Sequence, residues 1–268
     1  MITSTSNKRV KNVIALLSKS KERKKQQCFV VEGIKMFLEA PGQWVREVYI
    51  SEDLDMKAPE NEVLAEKVDE LNKIQGIVSE TVAADVFIKM CDTKTPQGVL
   101  CVLKTPEYVF EDIIHREKGL YLILEDIQDP GNLGTMLRTG EGAGIHGVIM
   151  SNHTVDIFNP KTIRATMGSI YRVPFIYVSD LAESIKQMKE REIQTYAAHL
   201  DGKQSYDRED YQEASAFLIG NEGNGLSKEI ADMADCYIKI PMLGQVESLN
   251  AAIAASLLTY EASRQRRN

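Results

Sequence analysis

Asn132, Arg138, Glu222, Ser248 and Asn250 are the side chains whose types and placement could do chemistry. They lie in three stretches, each following an apolar run. The first, DPGNLGTMLRTGEGAGI, follows LYLILEDI; its Asp129-Pro130-Gly131 is a turn, and Asn132 is placed to cap the helix that begins there. Arg138 lies six residues further on and, at about 100° per residue, points away from Asn132. The second, FLIGNEGNGLS, sets Gly220, Gly223 and Gly225 around Glu222, so that backbone can approach a ligand closely beside an acid. The third, IPMLGQVESLNAAIAASLLTYEASR, offers Ser248 as a helix cap and Asn250 in the first turn of an alanine-rich helix suited to close packing. Taken singly, each has an ordinary structural reading as a cap, an exposed charge or a surface turn. Together they supply an amide, a guanidinium, a carboxylate and a hydroxyl, groups that orient and polarise a substrate.

Other chemistries lack their residues. His115, His146, His153 and His199 show no H-x-x-x-H or H-E-x-x-H grouping, so no metal is expected. Cys28, Cys91, Cys101 and Cys236 form no C-x-x-C pair and read as reduced, buried thiols. Gly142, Gly144 and Gly147 match G-x-G-x-x-G in letters only. A helical stretch precedes them and a strand follows, the reverse of a dinucleotide site, so they close a helix and open a strand. Neither a phosphate-binding G-x-x-x-x-G-K-[ST] loop nor a G-x-S-x-G elbow occurs. No run of 18 apolar residues exists and the first residues lack a secretory pattern; a cytoplasmic protein without a membrane partner is expected.

The elements that must position these residues follow from composition and pattern. The chain has 268 residues, 43% of them hydrophobic and 26% charged, enough for two globular domains. Val10, Val13, Ile14 and Leu17 mark one amphipathic helix to about Lys25. CFVVEG, WVREVYIS, the region of IQGIVSE, and GVLCVL read as strands; IKMFLEA, ENEVLAEKVDEL and TVAADVFIKMC read as helices. This is a small α/β domain over 1–105, with KTPEYVFEDIIHREKG as linker. GLYLILEDI, HGVIMSN, VPFIYVS, IQTYAAHL, SAFLIGNE and CYIKIPM are strands separated mostly by helices, an open, largely parallel α/β sheet over 118–268. Ligands of such sheets bind beyond the carboxyl ends of the strands. The net charge is −7, yet Lys8, Arg9, Lys11, Lys19, Lys21, Arg23, Lys24 and Lys25 stand against Glu22 alone at one end, and Arg264, Arg266 and Arg267 close the other. Such concentrations suit either a phosphate-contacting face or plain solvated helices.

The three stretches, in this order and each after an apolar strand, resemble the signature motifs of the SpoU/TrmH (SPOUT) RNA methyltransferases. NPKTIRATMGSIYRVP is similar to that family's intervening segment, and CFVVEGIKMFLEA and DTKTPQGVLCVL to the substrate-binding domain of its longer members. The resemblance spans nearly the whole chain. It implies a catalytic domain with a deep trefoil knot, a homodimer, and S-adenosyl-L-methionine as methyl donor for a ribose 2′-hydroxyl of RNA. By motif, the donor would meet backbone at Gly220, Ile240 and Leu249, with His199, Glu222, Gly225 and Met242 beside it. Arg138 would clamp the neighbouring phosphate and polarise the hydroxyl, since a guanidinium resists deprotonation. Asn132 and Ser248 or Asn250 would orient the ribose, and Asn132 and Arg138 of one subunit would lie near the donor of the other. The two-domain length favours ribosomal RNA over transfer RNA; a transfer-RNA enzyme and a catalytically silent RNA-binding scaffold are the alternatives.

Overall fold

Apolar strands and amphipathic helices of this chain assemble two sheets, each the centre of its own unit. The computed structural model describes residues 1–74 and 76–267. One unit comprises residues 1–107 and 158–171; the other comprises 108–157 and the chain from 172 onward. Residues 158–171, which fall within the 118–268 range read from sequence as the second domain, therefore group with the first unit.

The first unit opens with Lys8–Ser18 (α1), whose buried stripe is Val10, Val13 and Leu16 and whose N-terminus is capped by Asn7 accepting from Arg9 N. The expected single helix to Lys25 is broken. Lys19 is extended, at φ −129° and ψ 111°, and Ser20–Gln26 (α2) starts anew. Arg23 explains the break: it is buried and donates to the Leu16 and Leu17 carbonyls at 2.6 and 3.1 Å, satisfying the open end of α1. It does not belong to an outward basic face.

Cys28–Glu32 (β1), Ile34–Glu39 (α3), Val45–Ser51 (β2), Glu62–Asn72 (α4), Val78–Val82 (β3), Ala84–Lys89 (α5) and Val99–Lys104 (β4) follow. Strand order is β1-β4-β2-β3, with β4 antiparallel to both neighbours and β2 parallel to β3. The strand expected near IQGIVSE begins only at Val78, and Gln75 of that stretch lies outside the described residues. TVAADVFIKMC, expected to be helical throughout, gives Thr81 and Val82 to β3. There Ile2 supplies ladder partners, donating to Thr81 O and accepting from Ala83 N, so β-branched residues and an edge to pair with outweigh the helical pattern. Val30, Tyr49, Leu100 and Val102 face α1 and α5 in one core. The alternate residues, among them Phe29, Val31, Val48 and Cys101, are also buried and face the other side, which α3 and α4 cover.

The second unit contains Phe110–Ile113 (α6), a short helix inside the segment read as linker, then Leu120–Leu124 (β5), Pro130–Ala143 (α7) and Gly147–Ser151 (β6). Pro160–Thr166 (α8) belongs to the first unit, where Phe158 packs on Phe29 with ring centroids 4.6 Å apart and Tyr171 Oη donates to Met36 O. Phe175–Val178 (β7), Leu181–Glu190 (α9), Gln194–Ala198 (β8), Gln204–Ser205 (β9), Ser215–Ile219 (β10), Lys228–Asp232 (α10), Cys236–Lys239 (β11) and Ala251–Arg266 (α11) complete the chain. The sheet runs β7-β6-β5-β10-β8-β11-β9, every pair parallel. β5, β6 and β10 are buried along their whole length, as an interior parallel strand requires. Gly144, at φ 85°, closes α7 in the left-handed region, and Gly147 opens β6.

α11 lies on α7 through small residues. Ala251, Ala252, Ala255 and Ala262 are buried, Ser256 Oγ donates to Thr139 Oγ1 at 2.9 Å, and a Cβ on Gly142 would come 2.7 Å from the Tyr260 hydroxyl. The terminal arginines are fasteners: Arg264 pairs with Glu261, and Arg266 donates to the carbonyls of Tyr211, Lys118, Gly119 and Glu213. Among the described residues no helix is long and apolar enough to cross a membrane.

Candidate active site

The loops at the carboxyl ends of β8, β10 and β11 and the start of α11 meet around one concavity. β10 ends at Ile219, and the chain turns on Gly220 and closes a loop in which Asn221 N donates to Gly225 O and Gly225 N to Asn221 O. Gly220 has no substitute: a Cβ there would stand 2.1 Å from the Gly225 carbonyl carbon and the Leu226 nitrogen. Gly225 adopts φ +69°, a region glycine enters freely. A second close approach of backbone lies beside β11, where a Cβ on Gly202 would be 2.6 Å from the Ile238 carbonyl carbon. CYIKIPM, read as strand throughout, leaves the sheet after Lys239, so Ile240 and Met242 lie in a loop. Likewise β8 stops at Ala198 and puts His199 beyond the strand end.

The resulting cavity measures about 740 Å³. It is lined by His199, Gly220, Glu222, Gly225, Ile240, Met242, Ser248 and Leu249, so every residue assigned from sequence to donor binding faces it. Of the five assigned to catalysis, Glu222 and Ser248 line it, whereas Asn132, Arg138 and Asn250 do not. Asp201, Lys239 and Glu247, which the sequence did not single out, also line it; nothing in their local pattern separates them from surface charges. His199 accepts from Asp201 N through Nδ1 at 3.2 Å and packs on Tyr237 with centroids 5.1 Å apart.

Asn132 and Asn250 enter through hydrogen bonds. Glu222 Oε1 accepts from Asn132 Nδ2 at 2.9 Å and from Asp129 N at 3.0 Å, and Oε2 accepts from Gln128 N at 3.0 Å. Asn132 Oδ1 accepts from Asn250 Nδ2 at 2.9 Å. One polar chain, Glu222–Asn132–Asn250, thus ties together the three stretches through bonds that span 90 and 118 residues of sequence. Burial pushes the Glu222 carboxyl up, but the bonds from Asn132, Gln128 N and Asp129 N outweigh it and hold the group below the usual carboxylate range. The carboxylate also sits at the amino end of α7, where the helix dipole favours an anion.

Two caps differ from the sequence reading. Asp129, not Asn132, caps α7, accepting from Asn132 N at 2.8 Å; Pro130 occupies the first turn, where its missing N–H costs nothing. Asn250, not Ser248, caps α11, accepting from Ala252 N and Ile253 N. Both shifts free a side chain: the Asn132 amide for Glu222 and the Ser248 hydroxyl, which has no hydrogen-bond partner among the described residues. The bond from Asn132 to Glu222 ties Asn132 to a residue that lines the cavity of its own chain. Arg138 is exposed on α7, carries no ion pair among the described residues, and is not brought to the cavity by its own chain.

Supporting residues appear behind this network. Asp126 stands at φ 55°, held there by its carboxylate accepting from Ser151 Oγ at 2.6 Å and its carbonyl from Asn221 Nδ2 at 2.8 Å. Gln128 Nε2 joins Asp126 O to His153 O. A non-glycine residue in that region at a loop of this kind is strain retained for position. Among the described residues no group of three or more His, Cys, Asp and Glu is arranged to hold a metal ion.

Residues 119–260 match the model of the SpoU rRNA Methylase family, and residues 7–101 that of the MRM3-like substrate binding domain. A Bacillus subtilis (strain 168) relative named 23S rRNA (guanosine(2553)-2′-O)-methyltransferase RlmP is 31% identical over 97% of this chain and 97% of its own. The crystal structure of an AdoMet-bound rRNA methyltransferase from Sinorhizobium meliloti superposes with a TM-score of 0.84 at 31% identity, covering 98% of this chain and 97% of that one. The SpoU methyltransferase AviRb from Streptomyces viridochromogenes, in complex with AdoMet, gives 0.84 at 28% identity over 97% and 99%.

Proposed function

The chain belongs to the SpoU rRNA methylase family, and from that premise we propose that it methylates a ribose 2′-hydroxyl of RNA with S-adenosylmethionine, ribosomal RNA being the favoured substrate. The observation that carries this reading is the cavity, walled by glycine-turned backbone and joined at its rim to the Glu222–Asn132–Asn250 chain.

The residues present fit the donor. A volume of about 740 Å³ lies in the range of small-molecule sites, roughly 300–1,000 Å³. Ile219, Ile240, Met242 and Leu249 offer apolar wall for an adenine, and the strand-end backbone offers N–H and C=O groups for its edge. Asp201, Glu222 and Glu247 against Lys239 give the lining an acidic balance that suits a sulfonium cation. Bound there, the donor would supply a methyl group already activated on sulfur, the ribose oxygen taking the methyl as the S–C bond breaks to leave a neutral thioether, with the hydroxyl proton released to water.

The protein's own part is to hold and polarise the hydroxyl. With one Nδ2 hydrogen on Glu222 and its oxygen on Asn250, the Asn132 amide is fixed in orientation and keeps one donor free for a ribose oxygen. The Ser248 hydroxyl is free to do the same. Arg138, unpaired and exposed, clamps the adjacent phosphate and stabilises the developing alkoxide as a cation, not as a base. A homodimer would bring Arg138 of one subunit to the cavity of the other. The exposed stripe Ile253, Leu257 and Tyr260 on α11 supports such a pairing, because large apolar side chains spaced this way are otherwise left in water. A trefoil knot in the second unit, an exception to the rule against threaded chains, goes with the resemblance to this family. The first unit would be the RNA-gripping domain, and a cytoplasmic setting goes with this substrate.

The test is calorimetry of the full chain with S-adenosylmethionine, followed by methyl transfer to ribosomal and transfer RNA transcripts with nucleotide mapping. Donor binding and a 2′-O-methyl mark in ribosomal RNA are expected. Failure to bind the donor, or a methyl group found on a base, would overturn the reading.

A further inference from the structure

The first unit carries a basic face whose arrangement says what form of RNA it meets. Lys8 and Lys11 lie on the side of α1 opposite its buried stripe, and Lys21, Lys24 and Lys25 fall within about 100° of arc on α2, opposite the buried Arg23. These five lysines and Lys19 between them are exposed, and none has an ion-pair partner among the described residues. Of the eight basic residues from Lys8 to Lys25, Arg9 is paired, with Glu80, and Arg23 is spent inside. The one acid in the stretch, Glu22, accepts from Gln26.

Two features separate this face from a loose basic tail. The array is rigid, because the Arg23 guanidinium bonds the Leu16 and Leu17 carbonyls and so fixes α2 against the end of α1. It also lacks an aromatic platform for a base. The seven aromatic residues of this unit are Phe29, Phe37, Trp44, Tyr49, Phe87, Phe158 and Tyr171, and none of them is on α1 or α2. Five are buried; of the other two, Trp44 packs edge-on to Tyr171 and Phe158 on Phe29. Single-stranded RNA is held by stacking unpaired bases on aromatic or arginine planes, whereas double-helical RNA is recognised by shape and by contacts to phosphate and 2′-hydroxyl. The acidic helix α4, with Glu62, Glu66, Asp69 and Glu70, covers the other side of the sheet, so the unit's charge is divided between its two faces.

We infer that the outer face of α1 and α2 docks on the phosphate backbone of an RNA double helix flanking the methylated nucleotide. The inference rests on the RNA methyltransferase reading above but adds to it a surface, a partner form and a division of labour: this face reads no bases, and sequence discrimination falls to the loops around the cavity.

The full chain is titrated by fluorescence anisotropy with a hairpin duplex and with an unstructured single strand of equal length, across a salt series. The variant Lys21→Gln/Lys25→Gln is compared with Lys57→Gln/Lys73→Gln, which makes the same charge change at exposed lysines beside α4. The duplex is expected to bind at least about ten-fold more tightly than the single strand. The α2 variant is expected to lose about ten-fold of duplex affinity and to flatten the salt dependence by close to two units of slope, with the control variant unchanged. Equal loss in both variants, or single strand bound as tightly as duplex, overturns the inference. Donor binding measured on the same samples keeps the two readings apart: its absence in the wild type would count against the methyltransferase assignment, and its retention in both variants shows that they are folded.

Discussion

The two units place their working groups in opposite ways. The second sets its site in loops beyond the ends of parallel strands, where backbone and a few tied polar groups define a cavity. The first presents charge from helices laid across a mixed sheet, using only the tips of long side chains. A backbone-built site fails sharply when one atom is added, because the neighbouring chain has nowhere to go. A side-chain array weakens in proportion to the charges removed. Mutational response is therefore the means of sharpening the contrast.

The largest effect is expected at Gly220. Gly220→Val would drive a Cβ into the backbone at residues 225–226, so S-adenosylmethionine binding by calorimetry should be lost and the melting temperature should fall by several degrees. A variant that binds the donor normally would show the cavity wall to be pliable. Next, Arg138→Ala should lower methyl transfer by about a hundred-fold or more with donor affinity unchanged, as removal of a transition-state contact does. Rapid-quench turnover with labelled donor measures this, and a wild-type rate would remove Arg138 from the mechanism.

A smaller and pH-dependent effect belongs to Glu222. Its folded carboxyl titrates below the usual carboxylate value, so the stability it contributes is present above that value and is lost as the pH falls through the lower, folded one. Urea unfolding of wild type and Glu222→Gln should differ at neutral pH and converge on acidification below about pH 4. A gap constant with pH would mean that the carboxylate's charge contributes nothing to the loop. The smallest effect separates the two candidate caps of α11: Asn250→Ala should cost about 1 kcal/mol and Ser248→Ala close to none, measured by the same unfolding curves. The reverse order would return the cap to Ser248.

Much of this molecule could be read before folding. Uninterrupted apolar runs such as LYLIL and SAFLI become the interior parallel strands, and the glycine loop after β10 becomes a cavity wall, because period and turn chemistry are local properties. The failures are also physical. Arg23 and Arg266 looked like exposed cations, yet each is drawn inward by carbonyls that only the packed chain brings together. Residues 158–171 sit between two strands of the second sheet in sequence but group with the first unit, since Phe158 and Tyr171 find their partners on β1 and α3.

Residue type and spacing alone thus determined which loops could hold a ligand, which chemical groups they offered and where the strands feeding them lay, since backbone preference and hydrophobic period act over a few residues. Tertiary structure alone decided that Glu222 accepts from Asn132 and Asn132 from Asn250, that Asp129 and Asn250 do the capping, and that Arg138 stands apart from its own chain's cavity. Those are contacts between segments tens of residues apart, and no local rule encodes the distance that folding brings them to.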